Sequence, residues 1–331
     1  MPPRCCLGRL PALRAARPAR LPALRPAAGL RFASSAAAAG PTSDDGARQG
    51  SLYSDIDFPK DDEGRVHHLS VREGEVAQRI VSVGDPTRAA ALAALFDDAA
   101  ETLRVDSHRP GAFTTFTGRF EGVAVSVIAT GMGTPNMDFV VRECRGVVEG
   151  PMAIVRFGSC GIVCKATPPG SICVSTLGSI NVTRNPDAFA PGAAAPEYWL
   201  SLPVLAHAEL SLLLTESLRE GVGEGSVVGG MNATCDSFYS SQGRQGSHFD
   251  DGNDDLIAEV NAFSSDIVTM EMETFQLLHL ARSARQPMAA AAAVICVANR
   301  HTDEVIETEV MRRLESEGGR AVLRAITRLA L

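Results

Sequence analysis

From Val71 onward, short β-rich apolar runs alternate with stretches of helical period. The runs predict strands at Ile80–Val83, Val123–Ile128, Ala153–Phe157, Ser171–Ser175 and Ala289–Val297. Helical patterns open at Pro86, Pro135, Pro203 and Glu273, and proline suits the first turn of a helix because its missing N–H has no partner there anyway. Alternation of this kind predicts an α/β fold. Two stretches rich in turn formers, Arg184–Trp199 and Gly243–Asn253, are expected to be surface loops. No linker-like stretch divides the chain after Val71, so a single domain is expected, and there is no internal repeat.

The first 43 residues break the pattern. They contain seven Arg, no acid, and repeated Ala, Leu and Pro, which is the composition of an organellar transit peptide. Arginines recurring through Arg31 interrupt the apolar centre that a secretory signal requires. Domain organisation is therefore expected as a leader at 1–43, a linker at 44–66 and the main domain at 67–331. A functional leader would deliver the protein to the mitochondrial matrix; if the leader is only a low-complexity tail, the location is cytoplasmic.

Composition narrows the partners. The 331 residues are 45% hydrophobic and carry a formal charge of −8, and beyond residue 43 only 24 basic side chains face all 39 acids. Such a body has no general attraction to nucleic acid. The longest apolar run, Met288–Ala298, is too short to cross a bilayer, so no membrane partner is expected. Cys5 and Cys6 lie in the leader, and the other six cysteines sit in apolar contexts that read as reduced core. Cys160 and Cys164 lack a His pair at ligand spacing, so no metal is expected.

The chemistry gathers at strand ends. Gly84-Asp-Pro-Thr-Arg88 places a glycine after a strand and an arginine in the first helical turn, where unpaired N–H groups and a guanidinium can hold an oxyanion. Ala129-Thr-Gly-Met-Gly-Thr-Pro135 and Val155-Arg-Phe-Gly-Ser-Cys-Gly161 have the same character. Arg156 within an apolar strand needs a partner, either a bound anion or an internal carboxylate such as Glu143 or Glu149. Neither glycine run is a Walker loop or a full dinucleotide fingerprint, which disfavours nucleoside triphosphates and NAD.

Taken in order, His67-His-Leu, Gly84-Asp-Pro-Thr-Arg88, Ser107-His-Arg109, Gly131-Met-Gly-Thr-Pro135, Arg156-Phe-Gly-Ser-Cys-Gly161, Phe238-Tyr-Ser-Ser-Gln-Gly-Arg244, Met270-Glu-Met-Glu273 and Asn299-Arg300 resemble the nucleoside phosphorylase superfamily of the hexameric type, in its uridine phosphorylase branch. The resemblance implies a phosphorylase-type α/β/α sandwich with a central mixed sheet. It implies reversible phosphorolysis of uridine to uracil and ribose 1-phosphate by a pentosyltransferase that uses no cofactor, inorganic phosphate being a co-substrate. Phosphate would be held by Gly84, Arg88, Arg156 and Ser159, with Arg109 reaching from a neighbouring subunit. Arg109 is followed by Pro-Gly instead of the acid that in some relatives helps hold a monovalent cation. Ribose would be held by Glu271, Met272 and Glu273, and by His68 from a partner subunit.

The base would be read by Phe238, Gln242 and Arg244. Arg244, with Gln242 and Arg300 through water, would stabilise the departing uracil, making these three the catalytic candidates. Neither Ser159 nor Cys160 need act as a nucleophile. The assembly implied is a homodimer built into a homohexamer. Alternatives are a purine or broad-specificity phosphorylase, a hydrolytic nucleosidase, and a non-catalytic nucleoside-binding or storage protein.

Overall fold

The computed structural model describes residues 55–108, 113–246 and 248–331, all within one compact unit. Arg109 and the proposed leader lie outside the described residues. Chain order runs β1 (Arg79–Val83), α1 (Pro86–Ala93), β2 (Leu103–Asp106), β3 (Thr114–Phe120), β4 (Val123–Ala129), α2 (Thr134–Val147) and β5 (Met152–Ile162). It continues through β6 (Ile172–Val174), β7 (Ser179–Arg184), β8 (Tyr198–Leu200), α3 (Ala208–Val222), β9 (Val227–Gly229), β10 (Met231–Cys235) and α4 (Leu256–Phe263). The last elements are β11 (Ile267–Glu271), α5 (Thr274–Ser283), β12 (Met288–Asn299), α6 (Thr308–Arg313) and α7 (Gly319–Arg328).

The strands form one mixed sheet in the order β2-β3-β4-β1-β5-β11-β10-β7-β8, with β12 also paired to β5 and leading on to β6 and β9. β5 is the seam. Its first half pairs in parallel with β1, its last residues pair antiparallel with β11, and β12 follows it from Met152 to Ile162.

Side chains alternate across this seam as strand geometry requires. Val81, Val155 and Phe157 pack with α1, α3 and α7, while Ile80 and Ile154 pack with α2 and α5. The result is the expected α/β/α layering. Five expected strands and four expected helices are present, with shifted limits. β5 runs through Gly158–Ile162, beyond the expected end at Phe157, because β12 and β11 supply partners for that glycine-containing stretch.

α3 begins at Ala208, not Pro203. Val204 instead bridges Ser179 in an antiparallel pair, and His207 Nδ1 caps the helix by accepting from the Leu210 N–H at 3.3 Å. Residues 55–66, assigned from sequence to the linker, contribute Val66 to the core and Phe58 to its edge. The two expected loops meet each other: Arg184 pairs with Asp251 at 2.7 Å and lies over the Phe189 ring, and the Tyr198 hydroxyl donates to the Asp251 carbonyl. Among the described residues, no helix is long and apolar enough to cross a membrane, and no acid, His or Cys group is placed to hold a metal.

Candidate active site

Parallel strands deliver their C-terminal ends to one side of the sheet, where β1 and β4 end in glycine-containing turns and β5 carries Gly158 and Gly161 within the strand. A cavity of about 480 Å³ opens at these ends. It brings together Gly84, Arg88, Arg156, Ser159, Phe238, Gln242, Arg244, Glu271, Met272 and Glu273. Of the remaining sequence candidates, His68 and Arg300 do not line it.

Arg88 sits at the start of α1, where Asp85 caps the helix by accepting from the Arg88 N–H at 2.9 Å. Its side chain is buried and held by Glu315, with Nη2 at 2.6 Å and Nε at 3.1 Å from one carboxylate oxygen. Arg156 is buried on β5 and pairs with neither Glu143 nor Glu149. Its partner is Glu273, at 2.9 Å from Nη2. Glu143 instead holds His68. Nε and Nη1 of Arg156 are buried with no hydrogen-bond partner among the described residues. Orphaned donors on a buried cation are costly and call for a further acceptor.

The Glu271–Glu273 turn joins β11 to α5. Both carboxylates reach the cavity, yet each is already committed. Glu271 accepts from Asn232 at 2.7 Å, from Thr234 at 2.6 Å, and from the N–H groups of Glu273 and Thr274. Glu273 accepts from the Gly133 N–H at 2.6 Å as well as from Arg156. Gly133 has φ of 96°, a conformation that glycine adopts without steric cost, and in it the N–H meets Glu273. Burial, and then the charge of Glu273, raise Glu271 to about 7, against the pull of Thr234, Arg156 and Asn232.

The segment after β10 forms the opposite wall. Asn253 pins it by donating to the carbonyls of Ser240 and Arg244, and Ser241 donates to Asp236. Arg244 donates from Nε to the Phe238 carbonyl and lies 3.9 Å over the Phe238 ring, so it covers a ring face expected to meet the base. Arg300 stands behind this wall and donates from Nη2 to the Gln242 carbonyl at 2.6 Å. Burial, then the like charge of Arg244, lower the Arg300 pKa. Its visible role is to hold the Gln242 backbone.

His68 is held elsewhere. Its Nδ1 lies 2.6 Å from Glu143, and its ring stacks on Phe139 at 3.7 Å. Cys160 lines the cavity but its thiol is buried 3.9 Å from Cys296, and burial first, then Cys296, raise its pKa well above the usual thiol range. A protonated thiol is a poor nucleophile.

Sequence reasoning missed Asn232, Thr234, Asn253 and Glu315. Asn232 and Thr234 carried a signal, since polar residues inside the apolar run Met231–Cys235 require partners.

A model of the phosphorylase superfamily matches residues 78–328, which include every cavity-lining side chain. The chain belongs to the phosphorylase superfamily. A solved structure from structural and catalytic work on two diverse uridine phosphorylases of the oomycete Phytophthora capsici is 47% identical, with a TM-score of 0.79, covering 83% of this chain and 98% of that one. Uridine phosphorylase of Escherichia coli is 28% identical over 273 residues, 80% of this chain and 98% of that protein. Uridine phosphorylase of Thermococcus kodakarensis is 29% identical over 188 residues, and that match spans 57% of this chain and 61% of its relative. The superfamily fold thus coincides with the strand-end cavity described above.

Proposed function

We propose that this chain is a pentosyltransferase that cleaves uridine with inorganic phosphate, giving uracil and ribose 1-phosphate. The observation that carries the reading is Arg156: a buried guanidinium at a strand end, paired on one nitrogen and orphaned on two, beside Arg88 and Ser159 in one cavity. Phosphate supplies the acceptors these donors lack. The relatives named as uridine phosphorylases support the choice of substrate.

Phosphate is held by Gly84, Arg88, Arg156 and Ser159, and Glu273 and Met272 face the sugar. A phosphate oxygen attacks C1′ and the C1′–N1 bond breaks, its electron pair leaving with uracil. Positive charge develops on the ribose and negative charge on the base, so phosphate stabilises the first while Gln242 and Arg244 donate to the second. Removing one such preorganised donor costs about 10²- to 10³-fold in rate. Arg300 acts through the Gln242 backbone. Neither a metal nor an organic cofactor is required in this scheme. His68 and Arg109 complete the site of a neighbouring subunit in a homodimer, assembled further into a hexamer. The arginine-rich leader directs the protein to the mitochondrial matrix.

Purified protein incubated with uridine, thymidine or inosine, with and without phosphate, tests the scheme by product analysis. Uracil release from uridine should depend on phosphate. Equal release without phosphate assigns hydrolysis, and equal cleavage of inosine assigns a purine-tolerant phosphorylase.

A further inference from the structure

The helical segment from Thr308 to Arg328 is broken by a π turn over Leu314–Gly318, between α6 and α7. A π turn adds a residue to the helical repeat and re-aims the side chains around it, and such turns recur at functional sites. Here Leu314 and Gly318 are buried, while Glu315 reaches across to Arg88. Two glycines allow the approach. A Cβ on Gly319 would lie 2.7 Å from Leu92 of α1, and one on Gly318 would lie 3.1 Å from the Phe157 ring on β5. The turn is therefore docked against the two elements that carry Arg88 and Arg156.

Glu315 engages Arg88 with a single oxygen, which takes both Nε and Nη2. The guanidinium is planar and its five donors are fixed relative to one another, so holding one edge sets the direction of the rest. Nη1 makes no hydrogen bond among the described residues, and Arg88 lines the cavity. An exposed ion pair of this kind would contribute little. This one has its arginine 7% exposed and its carboxylate 33% exposed, and the carboxylate comes from a turn more than two hundred residues away in sequence.

We propose that Glu315 is a positioning residue for the phosphate site, holding the Nε–Nη2 edge of Arg88 so that its remaining donors face the bound anion. The proposal rests on the reading that phosphate binds at Arg88. It predicts that geometry, not charge, is what Glu315 supplies. Glutamine keeps an acceptor oxygen for both nitrogens, whereas alanine keeps none.

The test titrates inorganic phosphate calorimetrically into the full chain carrying Glu315→Gln, Glu315→Ala, Arg88→Ala or the Arg88→Ala/Glu315→Ala pair, alongside KM for phosphate and for uridine. Glu315→Ala should weaken phosphate binding about tenfold, the scale of one hydrogen bond to a charged group, with KM for uridine unchanged. Glu315→Gln should stay within about threefold of wild type if the retained acceptor preserves the geometry. In the Arg88→Ala background, Glu315→Ala should cost nothing further, because the two act as one unit.

Wild-type phosphate affinity in Glu315→Ala overturns the proposal. So do equal losses in the Gln and Ala variants, or a loss that persists without Arg88. Thermal unfolding of each variant separates misfolding from lost positioning; should Glu315→Ala fail to fold, Glu315→Met, which fills the space without offering an acceptor oxygen, takes its place, and wild-type phosphate affinity there overturns the proposal. The calorimetric arm does not depend on uridine. Phosphate binding that responds to Glu315 as predicted, without uridine cleavage, would refute the substrate reading and leave this one standing.

Discussion

Glu271 shows how far a single buried carboxylate can be from the role its sequence position suggests. The family resemblance of Met270-Glu-Met-Glu273 implies that both carboxylates hold ribose, yet Glu271 spends both oxygens on Asn232, Thr234 and two backbone N–H groups. It builds the turn that presents Glu273. Burial first, and then the charge of Glu273, push its pKa from an ordinary 4.5 up to about 7. Between those values the folded protein keeps a proton that the unfolded chain has lost, so this residue's contribution to stability falls as pH rises through the window. Replacing it by the neutral Glu271→Gln removes that slope. Urea unfolding at pH 5, 6 and 7 should therefore show the variant gaining on wild type as pH rises, by at most about 1.4 kcal/mol per unit. A difference that stays constant with pH would place Glu271 in one protonation state throughout. Arg156 was legible as a buried cation in need of a partner, but that partner came from 117 positions away, a pairing that no local spacing encodes.

At the scale of elements, what could be read was what repeats locally. β1, β4 and β5 announce themselves as apolar runs, and Pro86 and Glu273 mark helix starts that the structure keeps to within a residue. α3 shows the limit, since Pro203 looks like a helix start until Val204 is claimed by Ser179 from another part of the sheet. β7, β10 and β11 were missed because their apolar residues are interrupted by Asn181, Asn232 and Thr269, and the polarity of Asn232 and Thr269 is met by cross-strand partners that only the assembled sheet supplies. The turn entering β7 gives a direct test of this dependence. Gly178 has φ of 80°, and a Cβ there would lie 2.0 Å from the backbone oxygen of Val204. Gly178→Ala should cost about 2–4 kcal/mol in denaturant unfolding, since it combines left-handed strain with a backbone clash. A loss below about 0.5 kcal/mol, the scale of a neutral surface change, would mean that the Ser179–Val204 pairing yields easily.

For the whole molecule, the position of His68 bears on assembly. It is pinned by Glu143 and Phe139 on α2 and does not line the cavity, so the role proposed for it above is one served in another copy of the chain. Activity is then expected to require association. Sizing chromatography with assays of each fraction should find turnover only in oligomers, and specific activity should fall on dilution as subunits separate. A fully active monomer would contradict this. The seam at β5 has a different consequence, in the order in which the chain is made. Residues 79–162 already contain Arg88 and Arg156, but β12, which pairs with β5 along its whole length, is the last of the twelve strands to be synthesised. Until it arrives, β5 presents an open apolar edge, a template for pairing with other chains. A ribosome-bound or truncated chain lacking residues 288 onward therefore carries both arginines without a closed cavity around them, and chaperone dependence during synthesis should be set by how long that one edge stays uncovered.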